Sequence, residues 1–417
     1  MLCSTSGRRA FGKALIPKVK SFAQASEFHR PTDILTHCPS IETRFPFHLS
    51  AFLYENPPDP TKAVECHDTF RAMLNKACGA KVWTVREILN DMSISQLRNS
   101  LIDITPIKFS VSPGDITPDI EAKMKRDYID FSLSRLSKDH LIDLIFLHPS
   151  VYIDVIPGSS TGFNYSQLPL APLANTVFTR DQQITTAKGV VIGRFGAQQR
   201  LSENDLMEIV WPQLGIKPIG RIEAPGTIEG GDFIPLSSDC MLLGTGLRTN
   251  MSAAMQLMNR DLLGCNRFIV VEDLCDLNQQ RMHLDTYFNV ASEKLCVCID
   301  AIAQDNPKYL RIAREFVKRG PSGYTEERAM PFGQWLKKEG FEVIEASFKQ
   351  QEEYFINLLH LGKNSKGKDI VFSINPEVES SLRKRGFDGE VHYLDFSPIT
   401  AMYGGAHCAS QVLRSPK

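Results

Sequence analysis

Four short polar clusters stand far apart in the chain, and each combines residue types that take part in catalysis. They are residues 175–181 (NTVFTRD), 229–232 (EGGD), 283–285 (HLD) and 404–408 (GGAHC). Successive side chains of a strand point to opposite faces, so an extended segment at 283–285 would present His283 and Asp285 together and turn Leu284 towards a core. Taken alone, such a pair is more often an ordinary surface or loop pair, so a functional interpretation needs partners.

Cys408 is the candidate nucleophile of the set. Two glycines, Gly404 and Gly405, precede it, and we expect them to give the loop positive φ angles and a close approach to a substrate. A thiolate attacks carbon centres when a neighbouring cation lowers the pKa of the thiol. A single cysteine is usually structural, and the surrounding loop sequence favours catalysis only modestly.

The carboxylates near these residues have ordinary and functional interpretations. Residues 229–232 read by default as a tight turn, but a carboxylate of Glu229 beside His283 would raise the pKa of the imidazole and keep it protonated as a general acid. Asp181 ends a strand-like run and can face a cavity, or it caps a helix or turn. Arg180 beside it can form a simple ion pair.

Together, a cysteine, a histidine and several carboxylates indicate nucleophilic attack on a carbon that already carries positive charge. A guanidinium fits, because its planar fork of donors pairs with carboxylates, so two aspartates could clamp it while a thiolate attacks the central carbon. The predicted reaction is C–N hydrolysis through a covalent thiouronium intermediate. The spacing of the polar residues suggests no metal-ligand set.

The composition sets limits on partners and compartment. Lys and Arg total 47 against 48 Asp and Glu in 417 residues, which gives no support for nucleic-acid or anionic-membrane binding, and no apolar run has the length of a membrane span. Ten cysteines without a secretory leader favour reduced thiols in the cytoplasm. Cys296 and Cys298 share one face of a predicted strand, where burial is favoured over a metal or redox role.

The chain starts with an acid-free segment. Residues 1–26 contain no Asp or Glu but several basic residues and serines, which is the composition of an organelle transit peptide. An acid-free start of this length also arises by chance, in about one chain in twenty-five of average acid content. We therefore predict an N-terminal extension over residues 1–17, with import into a mitochondrion-related organelle as the alternative to a cytoplasmic location.

Strand and helix patterns alternate along the remaining chain and predict an α/β fold. Strands are predicted at 33–38, 82–85, 151–156, 189–195, 241–244, 268–271, 295–299, 369–374 and 391–396. Helices are predicted from a capping arrangement at Ser202 and Asp205 to Val210, and at 251–263, 307–318, 326–339 and 350–361. Residues 86–150 differ, because they read as nearly all helix, with starts at Thr117-Pro118 and Ser137.

At this point the motifs resemble the arginine deiminases of the pentein superfamily. The four clusters, with residues 244–248 (GTGLR) and the early stretch 65–68 (ECHD) with its helix, follow the order and approximate spacing of that family from about Ser21 onward. The resemblance implies a five-bladed pseudosymmetric α/β propeller over residues 18–417, interrupted by the helical insertion at 86–150. It implies no metal or organic cofactor, and a homo-oligomer.

The resemblance also implies a reaction and a role for each residue. Free L-arginine would be hydrolysed to citrulline and ammonia, with Cys408 as nucleophile, His283 as the acid and base, and Glu229 orienting His283. Asp181 and Asp285 would grip the guanidinium. The implied contacts to the rest of the substrate are Asn175, Arg200 and Arg248 at its amino-acid end, Asp232 near its α-amino group and Phe178 along its aliphatic stem.

One position departs from the family pattern, and several alternative functions stay open. Some family members carry an arginine in the mobile loop where this chain has Tyr403, which bears on how the loop closes over the substrate carboxylate. An agmatine deiminase, a dimethylarginine hydrolase and an amidinotransferase would use similar residues; Arg248 disfavours agmatine and the insertion disfavours dimethylarginine. A catalytically dead binding protein would be expected to lack a core residue, and none is lost.

Overall fold

The computed structural model describes residue 19 and residues 22–44, 49–110, 117–155, 163–167, 169–320 and 323–414. The predicted extension at 1–17 lies outside these residues. The strands of the described chain are β1 (Pro31–Thr36), β2 (Lys81–Thr84), β3 (Ile107–Ser110), β4 (Val151–Val155), β5 (Phe163–Gln167), β6 (Gln183–Thr186), β7 (Gly189–Ile192), β8 (Gly220–Arg221), β9 (Phe233–Pro235), β10 (Cys240–Thr245), β11 (Arg267–Asp273), β12 (Phe288–Val290), β13 (Leu295–Ile299), β14 (Arg311–Lys318), β15 (Tyr324–Pro331), β16 (Glu342–Ala346), β17 (Leu359–Lys363), β18 (Asp369–Ser373), β19 (Glu390–Tyr393) and β20 (Gln411–Arg414).

Helices connect these strands. They are α1 (Pro60–Cys78), α2 (Val85–Asn90), α3 (Ile94–Ile104), α4 (Pro118–Ser132), α5 (Lys138–Leu147), α6 (Leu201–Gln213), α7 (Met251–Asn259), α8 (Leu284–Tyr287), α9 (Asp300–Ala303), α10 (Phe332–Lys338), α11 (Phe348–Glu352), α12 (Glu377–Lys384) and α13 (Ser397–Thr400). Local chemistry fixes many of their ends: the Asp59 carboxylate accepts hydrogen bonds from two backbone N–H groups at the start of α1, and Gly79 ends that helix at φ 68°.

Five sheets are built from one repeated unit: an antiparallel hairpin, then a helix, then a third strand parallel to the hairpin's second strand. The units are β6–β7–α6–β8, β9–β10–α7–β11, β12–β13 with β16, β17–β18–α12–β19, and β20 with β1–α1–β2. A parallel third strand needs a crossover connection, which the helix supplies. In the last unit the hairpin partners come from the two ends of the chain.

The mixed α/β prediction is therefore confirmed. In the described part of the chain the strands form six separate sheets, none of which closes on itself, so the closed five-bladed propeller stays a prediction. The sixth sheet, β3–β4–β5, begins within the predicted insertion at β3 and continues beyond its predicted end, because β4 and β5 follow residue 150. A second hairpin, β14–β15, extends the sheet of β9–β10–β11 to five strands.

The predicted insertion at 86–150 is mostly helical and packs against the first repeated unit. The helix starts at Thr117 and Ser137 are confirmed, because each side chain caps α4 or α5. The segment also contains β3, which the sequence pattern did not predict. Buried side chains of α2, α3 and α5 share one hydrophobic cluster with α6, including Leu101, Ile145 and Trp211.

Three predicted helices are partly wrong. Residues 307–318 form a short 3-10 turn followed by β14, residues 326–339 divide into β15 and α10, and residues 350–361 divide into α11, a loop and β17. The reason is pairing between distant segments: β14 bonds along its whole length to β11, which outweighs a helical pattern of apolar residues. The capping prediction for α6 is also wrong, since the helix begins at Leu201 without a side-chain cap.

The described cysteines, nine in all, are free thiols. Cys296 and Cys298 lie on β13 as predicted, and both are buried in a hydrophobic cluster. In the described part of the chain, every helix is too short or too polar to cross a bilayer.

Candidate active site

The predicted site residues meet at one cavity, and a regularity of the fold brings them there. Each of the five repeated units contributes a residue from the segment just before its first strand: Asp181 before β6, Glu229 before β9, His283 before β12, Asn357 before β17 and Cys408 before β20. Seven of the ten predicted residues line the cavity: Asn175, Phe178, Asp181, Arg200, Arg248, His283 and Cys408. Glu229, Asp232 and Asp285 lie behind its wall.

His283 is held from behind by Glu229. Its Nε2 lies 2.8 Å from Glu229 Oε2, and its Nδ1 lies 3.9 Å from Asp181 Oδ1. Burial lowers the pKa of His283, but the negative charge of Asp181 and the hydrogen bond with Glu229 outweigh it and raise the pKa to about 9. The imidazole is therefore protonated at neutral pH.

Residues 283–285 are not extended throughout, so the alternation considered for an extended segment does not apply. His283 has an extended backbone and is the residue before α8, so Leu284 and Asp285 lie in the first turn of a short helix. Both polar side chains still reach the site, and Leu284 is buried in a hydrophobic cluster as predicted. Asp181 likewise precedes β6 and does not end a strand.

Glu229 is a fully buried carboxylate with several partners. Besides His283, its Oε1 accepts a hydrogen bond from the backbone N–H of Gly196 at 3.0 Å and lies 3.7 Å from Arg248 Nη1. Burial raises the pKa of Glu229, but the bond and charge of His283 and the charges of Arg248 and Arg200 lower it to about 2. The carboxylate therefore stays ionised beside the imidazolium.

The Cys408 thiol lies in a polar but poorly hydrated environment, with only 8% of the residue exposed. Its Sγ is 3.7 Å from Asp285 Oδ2 and receives a hydrogen bond from Asn357 Nδ2 at 3.3 Å. Burial and the negative charges of Asp285 and Asp181 raise the pKa of the thiol well above its ordinary value. Without a cation in the cavity, the sulfur is a neutral thiol.

The glycines before Cys408 are needed for space. Neither Gly404 nor Gly405 has the predicted positive φ; that conformation belongs to Tyr403, at φ 75°. A side chain at Gly404 would overlap the ring of Phe178, and one at Gly405 would overlap the amide of Asn357. The loop therefore packs closely against the cavity wall, while the predicted close approach to a substrate stays a prediction.

Asp285 connects the loop that precedes Cys408 to the wall of the cavity. His407 Nδ1 lies 2.7 Å from Asp285 Oδ2, and because burial lowers the pKa of His407, a neutral ring donates to the ionised carboxylate. Burial raises the pKa of Asp285, but this hydrogen bond and the charges of His407, His283 and Arg180 together lower it below its ordinary value. The second oxygen, Oδ1, has no hydrogen-bond partner among the described residues. One carboxylate oxygen thus stays free to accept a donor.

The two arginines of the cavity differ in how strongly they are neutralised. Arg200 pairs with Asp181 at 2.8 Å and with Glu203 at 2.9 Å. Arg248 donates to the neutral amide of Gln279 at 3.0 Å, and the Glu229 carboxylate lies farther from it, at 3.7 Å. Arg248 is therefore the cation with more capacity for an added anion.

The remaining predicted residues occupy different depths. Phe178 lines the cavity with its ring against the Gly404 backbone, and Asn175 lines it while its amide donates to the carbonyl of Phe52 at 2.6 Å. Asp232 lies behind the wall, where its Oδ1 accepts the backbone N–H of Leu284 at 2.9 Å. Burial raises the pKa of Asp232 to about 7.

The family model described as arginine deiminase matches residues 50–414. The chain belongs to the arginine deiminase family. Its relatives include proteins named arginine deiminase from Borreliella afzelii, 21% identical over 93% of this chain and 96% of the relative, and from Mycoplasma capricolum subsp. capricolum, 26% identical over 92% and 93%.

This arginine deiminase family member is similar in fold to several solved structures. A DDAH from Pseudomonas aeruginosa, a mutant complexed with citrulline, is 17% identical, covers 93% of this chain and all of its own, and gives a TM-score of 0.51. The N-terminal domain of ArgZ, an arginine dihydrolase from cyanobacteria bound to product, is 12% identical over 92% and 98%, with the same TM-score.

Two residues of this arginine deiminase family chain that contact the site had no predicted role. Asn357 bonds the Cys408 thiol and also accepts the backbone N–H of His407 at 3.0 Å, and His407 holds Asp285. His407 stood inside a recognised motif. Asn357 fell within the predicted helix at 350–361, and the sequence signal that would reveal it is its position before the first strand of a repeated unit.

Proposed function

We propose that the chain hydrolyses free L-arginine to citrulline and ammonia through a thiouronium on Cys408. The observation that carries the proposal is the combination around one sulfur: a buried thiol within reach of Asp285, with Asp181 and a protonated His283 lining the same cavity. Such a cavity favours a cationic, planar group, since Asp181 lines it, Asp285 lies directly behind the Cys408 thiol, and Arg200 is already neutralised.

The guanidinium would occupy the space between the carboxylates. Asp285 Oδ1 is a buried acceptor without a described partner, and Asp181 Oδ1 accepts only the Gly231 N–H, at 3.2 Å. Planar N–H donors suit both oxygens. Arg200, already bound to Asp181 Oδ2, would orient that carboxylate, which differs from its expected contact with the amino-acid end.

Substrate charge would activate the nucleophile. Arrival of a guanidinium offsets the negative charges of Asp181 and Asp285, which removes two causes of the raised thiol pKa, so the thiol releases a proton to solvent as the cation enters. The sulfur then bonds to the central guanidinium carbon. The neutral tetrahedral species formed has two candidate leaving nitrogens.

His283 would transfer protons in both steps of the reaction, the release of ammonia and the hydrolysis of the thiouronium. Its Nδ1, the nitrogen not bound to Glu229, donates a proton to one nitrogen, the C–N bond breaks, and ammonia leaves a cationic thiouronium. Neutral His283 then takes a proton from water as the oxygen attacks the same carbon. Cleavage of the C–S bond returns the Cys408 thiolate and releases citrulline after loss of one proton.

The rest of the substrate would extend towards Arg248. We propose that the guanidinium of Arg248 binds the α-carboxylate of the substrate and that Phe178 packs against its aliphatic stem. Asn175 would make a polar contact at the amino-acid end. Asp232 is buried behind Leu284, so we assign it to holding the His283–Asp285 turn, in place of its expected contact with the α-amino group.

We further infer that the five repeated units are the five blades of the expected pentein propeller. The supporting regularity is that each unit supplies a residue that lines the cavity or, for Glu229, lies behind its wall, and that each of these residues comes from the short segment before the unit's first strand. Equivalent positions of units arranged about an axis meet at that axis. The homo-oligomeric state and the cytoplasmic location stay predictions, to be tested by light scattering and by fractionation.

A substrate panel tests the proposed reaction. Purified protein is incubated with arginine, agmatine and dimethylarginine, with glycine added in parallel as an acceptor, and Cys408→Ala serves as the blank. We expect citrulline and ammonia from arginine in equal amounts. Preferred turnover of agmatine or dimethylarginine would reassign the substrate, transfer to glycine would identify an amidinotransferase, and no turnover of any substrate would indicate a binding protein.

A further inference from the structure

Outside the cavity, three side chains of metal-binding type converge at the end of the first strand. Cys38 follows β1, and His67 and Asp68 are neighbours on α1. A sulfur, an imidazole nitrogen and a carboxylate oxygen from these residues all lie within 4.8 Å of one another. No contact given for the cavity involves these three residues, and none of them lines it.

His67 is an independent sign that something belongs there. The residue is 0% exposed, yet neither ring nitrogen has a hydrogen-bond partner among the described residues. Buried polar side chains normally make hydrogen bonds, and leaving such a bond unmade destabilises the folded chain. A ligand on one ring nitrogen would remove that destabilisation in part.

The surroundings give the cluster both access and a fixed frame. Asp68 is exposed and Cys38 is half-buried, so solvent reaches one side of the cluster while His67 closes the other. Next to Cys38, His37 bonds Glu42 at 3.1 Å and packs against the ring of Phe146, which fixes the backbone at the start of the site.

We infer that Cys38, His67 and Asp68 bind one Zn²⁺, with solvent as the fourth ligand. A thiolate and an imidazole disfavour Mg²⁺ and Ca²⁺, which take oxygen ligands, whereas zinc accepts all three donors in a tetrahedral shell. Binding displaces the Cys38 thiol proton to solvent and involves no change of oxidation state. The ion would tie the end of β1 to α1 and so stabilise the folded chain, without taking part in turnover.

Cobalt is the probe, because a Co²⁺–thiolate bond gives a charge-transfer absorption that a carboxylate or imidazole alone does not. The titration uses the Cys408→Ala protein, which removes the cavity thiol as a second soft ligand. We expect one Co²⁺ per chain with a thiolate band, displaced by an equivalent of Zn²⁺. Zinc should also raise the Tm of this protein.

Variants at the accessible positions decide the assignment. Cys38→Ser should abolish the thiolate band and the Tm increase, and Asp68→Asn should weaken Co²⁺ binding by about tenfold or more. Cys275→Ser, which removes an exposed thiol elsewhere, is the matched control and should change neither. The inference is overturned if no thiolate band forms, if the band survives Cys38→Ser, or if Cys275→Ser abolishes it equally.

Activity separates this inference from the proposed function. On the Cys408 background, Cys38→Ser should retain the arginine turnover of the unmodified chain, and a chelator should leave turnover intact. Failure of the cobalt experiment would leave the arginine assay unaffected, and failure of that assay would leave the zinc site unaffected.

Discussion

The proposed nucleophile, Cys408, lies among side chains with opposing electrostatic effects. Asp181 and Asp285 favour a cation and keep the Cys408 sulfur protonated until one arrives, while Asn357 donates to the sulfur and stabilises it once ionised. Before a cation binds, the thiol is therefore protonated and weakly nucleophilic. This arrangement limits unwanted reactions of the thiol with oxidants or small electrophiles, which attack the thiolate form.

Replacement of Cys408 by Ala or Ser should abolish arginine turnover and leave the chain folded, because only a small side chain is changed. Turnover is measured by citrulline formation and folding by circular dichroism. Acid quench of the unmodified enzyme during turnover should give a mass adduct on the peptide containing Cys408. Residual activity within about tenfold, or an adduct on another cysteine, contradicts the covalent role.

The His283–Glu229 pair predicts an alkaline limit on activity. With a His283 pKa of about 9, the proton donor persists through neutral pH and is lost above it. Glu229→Gln removes an adjacent charge, so the alkaline limb of the kcat profile should move down by about one pH unit or more. Glu42→Gln, which alters the buried His37–Glu42 pair instead, is the matched control.

The same pair should shape stability with a definite sign. Because the folded pKa of His283 lies above its ordinary value of 6.5, its contribution to the free energy of unfolding is complete below pH 6.5 and is lost as pH rises through about 9. Glu229, lowered to about 2, contributes above pH 4.5 and loses that contribution on acidification. If Glu229→Gln leaves the alkaline limb of the kcat profile unchanged, the electrostatic coupling of Glu229 to His283 is contradicted.

Arg248 should separate arginine from agmatine. If its guanidinium holds the α-carboxylate, Arg248→Ala should weaken kcat/KM for arginine by about 2 to 5 kcal/mol, the usual loss on removing one partner of a desolvated charge pair. Agmatine lacks the carboxylate and should lose much less. Arg248→Lys should recover only part of the loss, because an ammonium lacks the planar fork.

The control for this comparison is Arg221→Ala, which removes a surface arginine paired with Asp205 and Glu208 outside the cavity. It should affect neither substrate. Equal damage to arginine and agmatine by Arg248→Ala, or no damage to either, means that another group anchors the carboxylate.

At the scale of elements, the close-packed loop before Cys408 makes its own prediction. Gly405→Ala would force its new methyl group into Asn357, so the loop or the amide must shift. We expect kcat to fall by about tenfold or more, with overpacking costing about 1 to 3 kcal/mol of stability. Gly386→Ala, at φ 76° in open space, should cost stability alone. Unchanged kcat in Gly405→Ala would remove Asn357 from the mechanism.

The elements that sequence predicted well are those whose signals are local. The caps at Thr117 and Ser137 bond to backbone groups three residues further along the chain, and β13 is a short apolar run. Both features could therefore be predicted from the local sequence. The hairpin β14–β15 could not, because its strands are fixed by pairing with β11 and with each other. Its exposed, charged second strand looks helical in isolation.

The candidate site residues could also be predicted from local sequence, whereas Asn357 could not. His283, Glu229 and Cys408 stand in motifs with unusual local composition, so residue types alone suggested them. Asn357 stands among apolar residues of ordinary helical spacing. Only the repeated connectivity, with each unit's first strand preceded by a cavity residue, explains its place. The depth of Asp232 and Asp285 depends on packing that no spacing rule conveys.

At the scale of the whole molecule, a buried charge cluster joins the first and last parts of the described chain. Glu27 pairs with Arg414 at 2.7 Å and lies 3.9 Å from Arg180, whose Nε donates to the carbonyl of His407. Glu27→Gln would leave two buried cations without this anion. We expect a loss of about 3 to 5 kcal/mol in the free energy of unfolding, measured in urea.

Glu379→Gln, at an exposed pair with Arg383, should change that free energy by less than about 0.5 kcal/mol and controls for the loss of a charge. A loss at Glu27 no larger than at Glu379 would mean that solvent reaches the cluster.

The pairing of β20 with β1 also sets an order of events during protein synthesis. Every other cavity residue leaves the ribosome before Cys408, and the nucleophile loop is anchored only when β20, which follows it, bonds to a strand made on the order of tens of seconds earlier. A nascent chain can thus acquire the proposed acid, clamp and carboxylate anchor while still lacking the sulfur. Under the proposed mechanism, activity appears last, when translation has delivered the strand that completes this sheet.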